Sequence, residues 1–275
     1  MTSGPSSPPP IRLVAVDLDG TLLNDSKEVT EQTAGALTCL PQRDVKVVIA
    51  SARPPRSVRQ IYRALGLDTV QINYNGALIW DEPNQRALFH RPIAGRLALK
   101  IIEHARDMFD ETVVAVEAMD RWFTDRADDL GHTTETGKLF RPDVICPVDE
   151  LCAQPVTKLM LMAEPRIVLR LEDVLAEAFD GQVTILKTDR DLIQIMHPEV
   201  SKATALQKVA KWYGVPMDQV MAIGDAPNDV GMLQVAGVSV AMDNAHKLVK
   251  RVADWVAPSN NDHGVCAALE RYGLC

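Results

Sequence analysis

The sequence predicts an α/β fold, a parallel-sheet core with helices on its faces and a separate α+β unit inserted in mid-chain. Three observations carry this. Short apolar runs alternate with amphipathic helical stretches over residues 11–82, the pattern of a parallel sheet. From about residue 83 the order changes to runs of strands between helices, which suits an antiparallel sheet. From about residue 191 the first pattern returns. The simplest account is a core of residues 11–82 and 191–275, an insert of 83–190, and a disordered tail of 1–10, whose MTSGPSSPPP is rich in Pro and Ser and lacks apolar periodicity.

Taken in order, the apolar run 11–16 reads as a buried strand. A helix follows over 30–40, with Thr30 as N-cap, then a strand over 46–50, a helix over 56–65 ending before Gly66, and a third strand over 69–73. Asn75-Gly76 between two apolar stretches signals a hairpin turn. In the insert, 95–109 is amphipathic, with Ile101, Ile102, Ala105, Met108 and Phe109 on one side. Residues 112–117 and 121–124 read as paired strands, 156–163 and 183–187 as further strands, and 165–179 as a helix, while 125–150 carries no clear pattern. The returning core reads as strands at 192–196, 220–223 and 238–240, with helices at 202–213, 230–235, 245–252 and 264–272.

Composition narrows the function. The chain has 275 residues, 47% of them hydrophobic, and a net charge of −8, without a cluster of Lys and Arg. Such a chain is globular and is a poor binder of nucleic-acid backbones. No apolar run approaches the ~20 residues that span a bilayer, so no membrane partner is expected. The five cysteines form no CxxC pair and follow no signal peptide, which reads as free thiols in a reducing cytoplasm.

Asp17-Leu18-Asp19-Gly20-Thr21 stands directly after the first strand. Residues two apart on an extended backbone point to the same side, so both carboxylates can face the cleft at the C-terminal edge of the sheet, where open α/β folds bind ligands. Close carboxylates repel unless a cation or a proton intervenes, and Mg²⁺ favours such oxygen donors. A calcium loop is a poorer match, since Leu22 stands where that loop needs Gly and a strand precedes it. The bland alternative is a turn with two solvated carboxylates. Gly224-Asp225-Ala226-Pro227-Asn228-Asp229 also follows an apolar strand; Asp225 could complete the cation's ligands, and Asp229 is equally readable as a helix cap. Ser51-Ala52-Arg53-Pro54 offers a hydroxyl and free amides for an anion, though a plain loop is the commoner meaning of such a segment. Lys202 follows Ser201 at a helix N-terminus, where a cation opposes the helix dipole.

Together these segments resemble the haloacid dehalogenase superfamily of phosphohydrolases, in particular its Cof-type branch, with a Rossmann-like core and a large α+β (C2B-type) cap. DLDGT at 17–21, the Ser51 segment, Lys202 and GDAPND at 224–229 come in the family's order, and Asn75-Gly76 and the segment 260–265 are also similar to that branch. The resemblance implies that Asp17 is the nucleophile, forming an aspartyl-phosphate, and that Asp19 serves as acid and then base. It implies Mg²⁺ on the Asp17 carboxylate, the Asp19 backbone carbonyl and the Asp225 carboxylate. Ser51 and the amides of Leu18 and Ala52 would bind phosphate, Lys202 would balance its charge, Asn228 would touch the phosphate or position Lys202, and Asp229 would support from behind. Ala52, Ala203, Pro227 and Gly231 depart from the family's usual residues.

The expected enzyme is a Mg²⁺-dependent phosphatase for a small phosphate ester such as a sugar phosphate or phosphorylated cofactor, working as a monomer or homodimer. A phosphomutase, or a phosphatase of disaccharide synthesis, is the alternative; a phospholigand-binding protein without turnover is the reading from another class. Trp80, Trp122, Trp212 and Trp255 read first as core or interface residues, and Trp122, between Arg121 and Phe123 in the insert, is the one to test for substrate contact.

Overall fold

The computed structural model describes residues 10–126 and 135–275; the expected tail, Pro10 apart, lies outside them. The chain opens with β1 (Leu13–Val16), whose four residues are all buried. α1 (Glu31–Thr38) starts at Thr30, whose hydroxyl accepts from the Thr33 amide. It ends in a short turn before β2 (Lys46–Ile49). α2 (Pro55–Ala64) begins with a proline, which sacrifices no helical hydrogen bond in the first turn. β3 (Gln71–Asn73), β4 (Leu78–Asp81) and β5 (Arg86–His90) form a three-stranded antiparallel sheet. Tyr74–Gly76 makes the tight turn between β3 and β4 expected of Asn75-Gly76.

α3 (Gly95–Met108) leads into β6 (Val113–Ala118) and β7 (Arg121–Thr124), which pair antiparallel as expected. In the stretch without a clear pattern lie α4 (Glu135–Leu139), β8 (Val144–Ile145) and α5 (Val148–Leu151). β9 (Lys158–Met162), α6 (Pro165–Ala178), β10 (Thr184–Asp189) and β11 (Leu192–Met196) follow. Strands β6 to β11 form one sheet, in the order β10-β11-β9-β6-β7-β8. Along β6 the faces alternate. Val114, Val116 and Ala118 pack with α3 and α6 residues, while Val113 and Ala115 join Trp122, Met160 and Leu192 on the other side.

α7 (Lys202–Trp212), β12 (Val220–Gly224), α8 (Val230–Val235), β13 (Val238–Met242), α9 (Lys247–Val252), β14 (Trp255–Ala257) and α10 (Gly264–Arg271) complete the chain. The core sheet is parallel, ordered β14-β13-β12-β1-β2, and Ile72 of β3 bridges Ala50 in parallel beyond β2. Strand order reverses between β1 and β12, the place where open α/β sheets leave a crevice for ligands.

One expectation is corrected. Leu192–Met196 is not a core strand; it pairs antiparallel with both β9 and β10. Its apolar run cannot say which sheet buries it, because a strand in either layer is buried alike. Likewise β5 pairs with β4, outside the large antiparallel sheet. We therefore propose that the insert runs from about residue 91 to 197 rather than 83 to 190. Among the described residues no helix is long and apolar enough to cross a membrane.

Candidate functional site

The central strands bring together residues far apart in sequence. Val16 of β1 lies opposite Ile223 of β12 and Ile49 of β2. The chain leaves all three strands at the same edge, so Asp17, Asp225 and Ser51 emerge side by side. The Asp17 amide donates to Ile223 O at 3.0 Å and the Ala50 amide to Val16 O at 2.9 Å, extending the ladder to the site itself. Leu18 directly follows Asp17 and Ala52 follows Ser51, at the ends of adjacent strands.

Lys202 is the hinge of the charge arrangement. It is 1% exposed, and its Nζ donates to Asp17 Oδ1 at 2.5 Å and to Asp229 Oδ1 at 2.6 Å. Ser201 caps α7 by accepting from the Thr204 amide. Gly76 lets this helix start approach: at φ +101 it holds a conformation L-residues avoid, and a Cβ there would stand 2.3 Å from Ser201 O. Two buried carboxylates supply the charge that offsets the helix dipole, and they hold the ammonium well above its ordinary proton affinity against the opposing effect of burial.

Asp17, Asp225 and Asp229 each place a carboxylate oxygen within 4.8 Å of the others. Burial pushes Asp17 well above the usual carboxylate range, Asp229 adds repulsion, and Lys202 opposes both. Burial also pushes Asp225 up to about 6, against the Thr21 hydroxyl, which donates to Asp225 Oδ1 at 2.7 Å. Asp229 is the buttress. Beyond Lys202, its Oδ2 accepts the amides of Asp225 and Ala226, both at 3.0 Å. Both readings of Asp229, cap and support, describe the same carboxylate.

The oxygen-rich cluster fits a hard divalent cation. It lacks nitrogen and sulfur donors, its carboxylates repel one another in a buried setting, and the chain clears space beside it. Gly20 has φ +80, and a Cβ there would lie 2.4 Å from Asp225 Oδ2. Its carbonyl accepts from Asn244 Nδ2 at 2.7 Å, which fixes the turn.

Asp19 behaves differently from the expected paired carboxylate. Its side chain turns from the cluster to Arg53, whose Nε donates to Oδ2 at 2.6 Å and whose Nη2 donates to Oδ1 at 2.5 Å. Lys27 Nζ adds a bond to Oδ1 at 3.0 Å. Partial burial raises the Asp19 proton affinity, but Arg53 and then Lys27 outweigh it, so the net shift is downward. Ser51 is buried, and its Oγ accepts the Arg53 amide at 3.1 Å. Asn228 is exposed and donates to Asn75 Oδ1 at 2.9 Å; Lys202 is held by the two aspartates instead. Trp122 is buried in the sheet face opposite α3 and α6.

Sequence reasoning gave no role to Arg53, Thr21, Lys27 or Asn244; Arg53 was in view within the Ser51 segment and Thr21 within DLDGT, whereas Lys27 and Asn244 bear no local signal.

A second set of polar contacts joins the two sheets. Glu117 of β6 accepts from Arg56 Nη2 at 2.6 Å and from the Tyr74 hydroxyl at 3.0 Å. Asp120 accepts the Arg56 amide at 2.7 Å and Arg59 Nη2 at 2.8 Å. Lys158, opposite Glu117 on β9, has its ammonium 5.3 Å from the Tyr74 ring centre.

Comparison with known proteins agrees with this geometry. The family model for haloacid dehalogenase-like hydrolases matches residues 14–269. The 5-amino-6-(5-phospho-D-ribitylamino)uracil phosphatase YitU of Bacillus subtilis is 30% identical, over 94% of this chain and 97% of its own. A second B. subtilis protein of the same named activity, YcsE, is 28% identical over 96% of each chain. A crystal structure from Thermotoga maritima superposes with a TM-score of 0.86 at 27% identity, over 95% of this chain and 97% of that one.

Proposed function

From the premise that this chain belongs to the haloacid dehalogenase-like hydrolases and is a phosphoric monoester hydrolase, we propose that it cleaves a small phosphate ester through an aspartyl-phosphate on Asp17. The observation that carries the reading is the buried Lys202, which joins Asp17 and Asp229 at the strand edge where Asp225 and Ser51 also emerge.

In this reading Asp17 acts as nucleophile. Its free oxygen attacks phosphorus, and the bond from phosphorus to the ester oxygen breaks. Lys202 favours the charged form of the Asp17 carboxylate against the effect of burial and screens it from the incoming phosphate. Ser51 and the amides of Leu18 and Ala52 orient the phosphate oxygens, with Asn228 at the rim. Mg²⁺ would be held by the carboxylates of Asp17 and Asp225 and the Asp19 backbone carbonyl, supplying positive charge where the anionic phosphate meets an anionic nucleophile.

Asp19 gives its proton to the leaving oxygen. It then takes one from the water that attacks the aspartyl-phosphate, freeing Asp17 and inorganic phosphate. Arg53 and Lys27 favour the carboxylate form of Asp19, so it must loosen from Arg53 before it can carry a proton. A phosphate dianion competes for that guanidinium, which couples substrate arrival to release of the acid. Five unpaired cysteines suit a reducing compartment, and we assign the enzyme to the cytoplasm.

A panel of phosphate monoesters, including sugar phosphates and a ribitylamino-uracil phosphate of the kind named for the B. subtilis relatives, tests the reading. Phosphate release that requires Mg²⁺ and stops with EDTA is expected. Isomerised ester without free phosphate would point to a mutase instead, and binding without release to a non-catalytic protein.

A further inference from the structure

We propose that Lys27 keeps Asp19 aimed at the ester oxygen once Arg53 has turned to the phosphate, and that Asn260 and Asn261 clamp the loop that carries Lys27. All three are positioning residues. The inference rests on the phosphatase reading above, in which Asp19 is the acid, and gives a task to the segment 260–261.

The two Asp19 oxygens are held differently. Oδ1 accepts from Arg53 Nη2 at 2.5 Å and from Lys27 Nζ at 3.0 Å, whereas Oδ2 accepts from Arg53 Nε, at 2.6 Å, and from no other side chain among the described residues. When Arg53 passes to the phosphate, Oδ2 is freed and Oδ1 keeps one donor. Oδ2 is therefore the oxygen that faces the ester, gives it a proton and later takes one from water, while Lys27 fixes the plane of the carboxyl group through Oδ1. A carboxyl group free to turn would spend little time within hydrogen-bond reach of the leaving oxygen in the right direction.

Lys27 needs help to do this. Its side chain is 45% exposed, and an exposed ion pair is weak because a long side chain must be ordered to make it. Its backbone sits at φ +63, a conformation uncommon for a residue with a long side chain. The loop is closed on itself by Asn24, whose Oδ1 accepts the Glu28 amide and whose carbonyl accepts the Lys27 amide, both at 2.9 Å. From the far end of the chain, Asn261 Oδ1 accepts the Asp25 amide and its Nδ2 donates to Asp25 Oδ2, both at 3.0 Å. Asn260 is 7% exposed, and its Nδ2 donates to Leu23 O at 2.9 Å. Its amide donates to Asn244 Oδ1 at 3.0 Å, and Asn244 Nδ2 in turn reaches Gly20 O. Three asparagines thus grip the loop at Gly20, Leu23 and Asp25, the stretch of chain between Asp19 and Lys27. An amide side chain both donates and accepts, so it holds this backbone without adding charge beside the acid cluster.

The test compares p-nitrophenyl phosphate, whose leaving group departs without a proton, with the alkyl phosphate that the native enzyme cleaves fastest in the panel above, whose alkoxide needs one. With Mg²⁺ present, kcat/KM covers the steps through departure of the leaving group, so the ratio between the two esters reads the acid. Lys27→Met should lower kcat/KM for the alkyl ester about tenfold more than for the aryl ester, and Lys27→Arg, which keeps a cation, should restore most of the difference. Asn261→Ala should shift the ratio the same way by about threefold, with faster hydrogen exchange over residues 20–28. Lys27→Met/Asn261→Ala should shift it no further than Lys27→Met, because the clamp acts through Lys27. Equal losses on the two esters, or shifts that multiply in the double variant, overturn the assignment and leave the phosphatase reading intact. Phosphate release from the aryl ester and from no alkyl ester does the same. Release from no monoester at all overturns both.

Discussion

Replacing Glu117 with Gln removes one charge from the contact between the two sheets while keeping the side chain's shape. Glu117 is 2% exposed and stands between Arg56 of the core and the Tyr74 hydroxyl. A glutamine can still accept from Arg56 and can donate to the Tyr74 oxygen, whose single proton is then free for Met119 O at 2.6 Å. What is lost is the anion that Arg56 and Lys158 share. Breaking a buried ion pair on one side costs about 3–5 kcal/mol, and the retained hydrogen bonds argue for about 3. At about 1.4 kcal/mol per decade this is on the order of a hundredfold in an equilibrium constant. Glu117 and Tyr74 belong to different sheets, each with its own ladder, so the cost should appear as loosening of the contact between them rather than unfolding of either, even with Asp120 still paired to Arg59. Hydrogen exchange read by mass spectrometry on peptides covering 71–78 and 113–120 should show the protecting equilibrium fall by about two decades. The triple variant Arg56→Met/Glu117→Leu/Lys158→Met should recover most of the protection, because it leaves none of the three desolvated charges behind. Exchange within threefold of the native protein in Glu117→Gln would refute the claim that this ion pair holds the sheets together.

Asp17→Asn should abolish phosphate release with an unchanged circular dichroism spectrum; residual turnover near the native rate would remove Asp17 as nucleophile. Gly20→Ala forces a residue into φ +80 and a Cβ to 2.4 Å from Asp225 Oδ2. About 1–2 kcal/mol of stability should be lost to the backbone conformation alone, together with a weaker Mg²⁺ requirement curve, read by urea unfolding and by titrating activity with the metal. Burial pushes Lys158 down to about 8, with Arg56 acting the same way and Glu117 against them. The unfolded chain then binds more protons than the folded one between that value and the ordinary 10.5, so this group destabilises below pH 8 and the penalty fades as pH rises toward 10.5. Lys158→Met should raise stability at pH 7, by up to about 3 kcal/mol, and flatten the rise between pH 7 and 10 in urea titrations; an unaltered pH dependence would contradict the placement of this ammonium.

The sequence by itself marked Asp17, Asp19, Ser51 and Asp225 as candidates, because each lies just past the end of an apolar strand, a place that local pattern makes visible. DLDGT after Leu13–Val16 and GDAPND after Val220–Ile223 are legible as carboxylates on loops at strand ends. Their meeting, and the side-chain choices within it, were decided by tertiary structure. Which strand neighbours β1 is a matter of long-range pairing that no local period encodes, and the same ignorance misassigned Leu192–Met196. Asp19 turns to Arg53 rather than to the acid cluster, pairing with a buried guanidinium 34 residues away along the chain that needs a carboxylate to balance its charge. The contact between Glu117 and Arg56 exists only once the insert lies over the core, since it draws its residues from both.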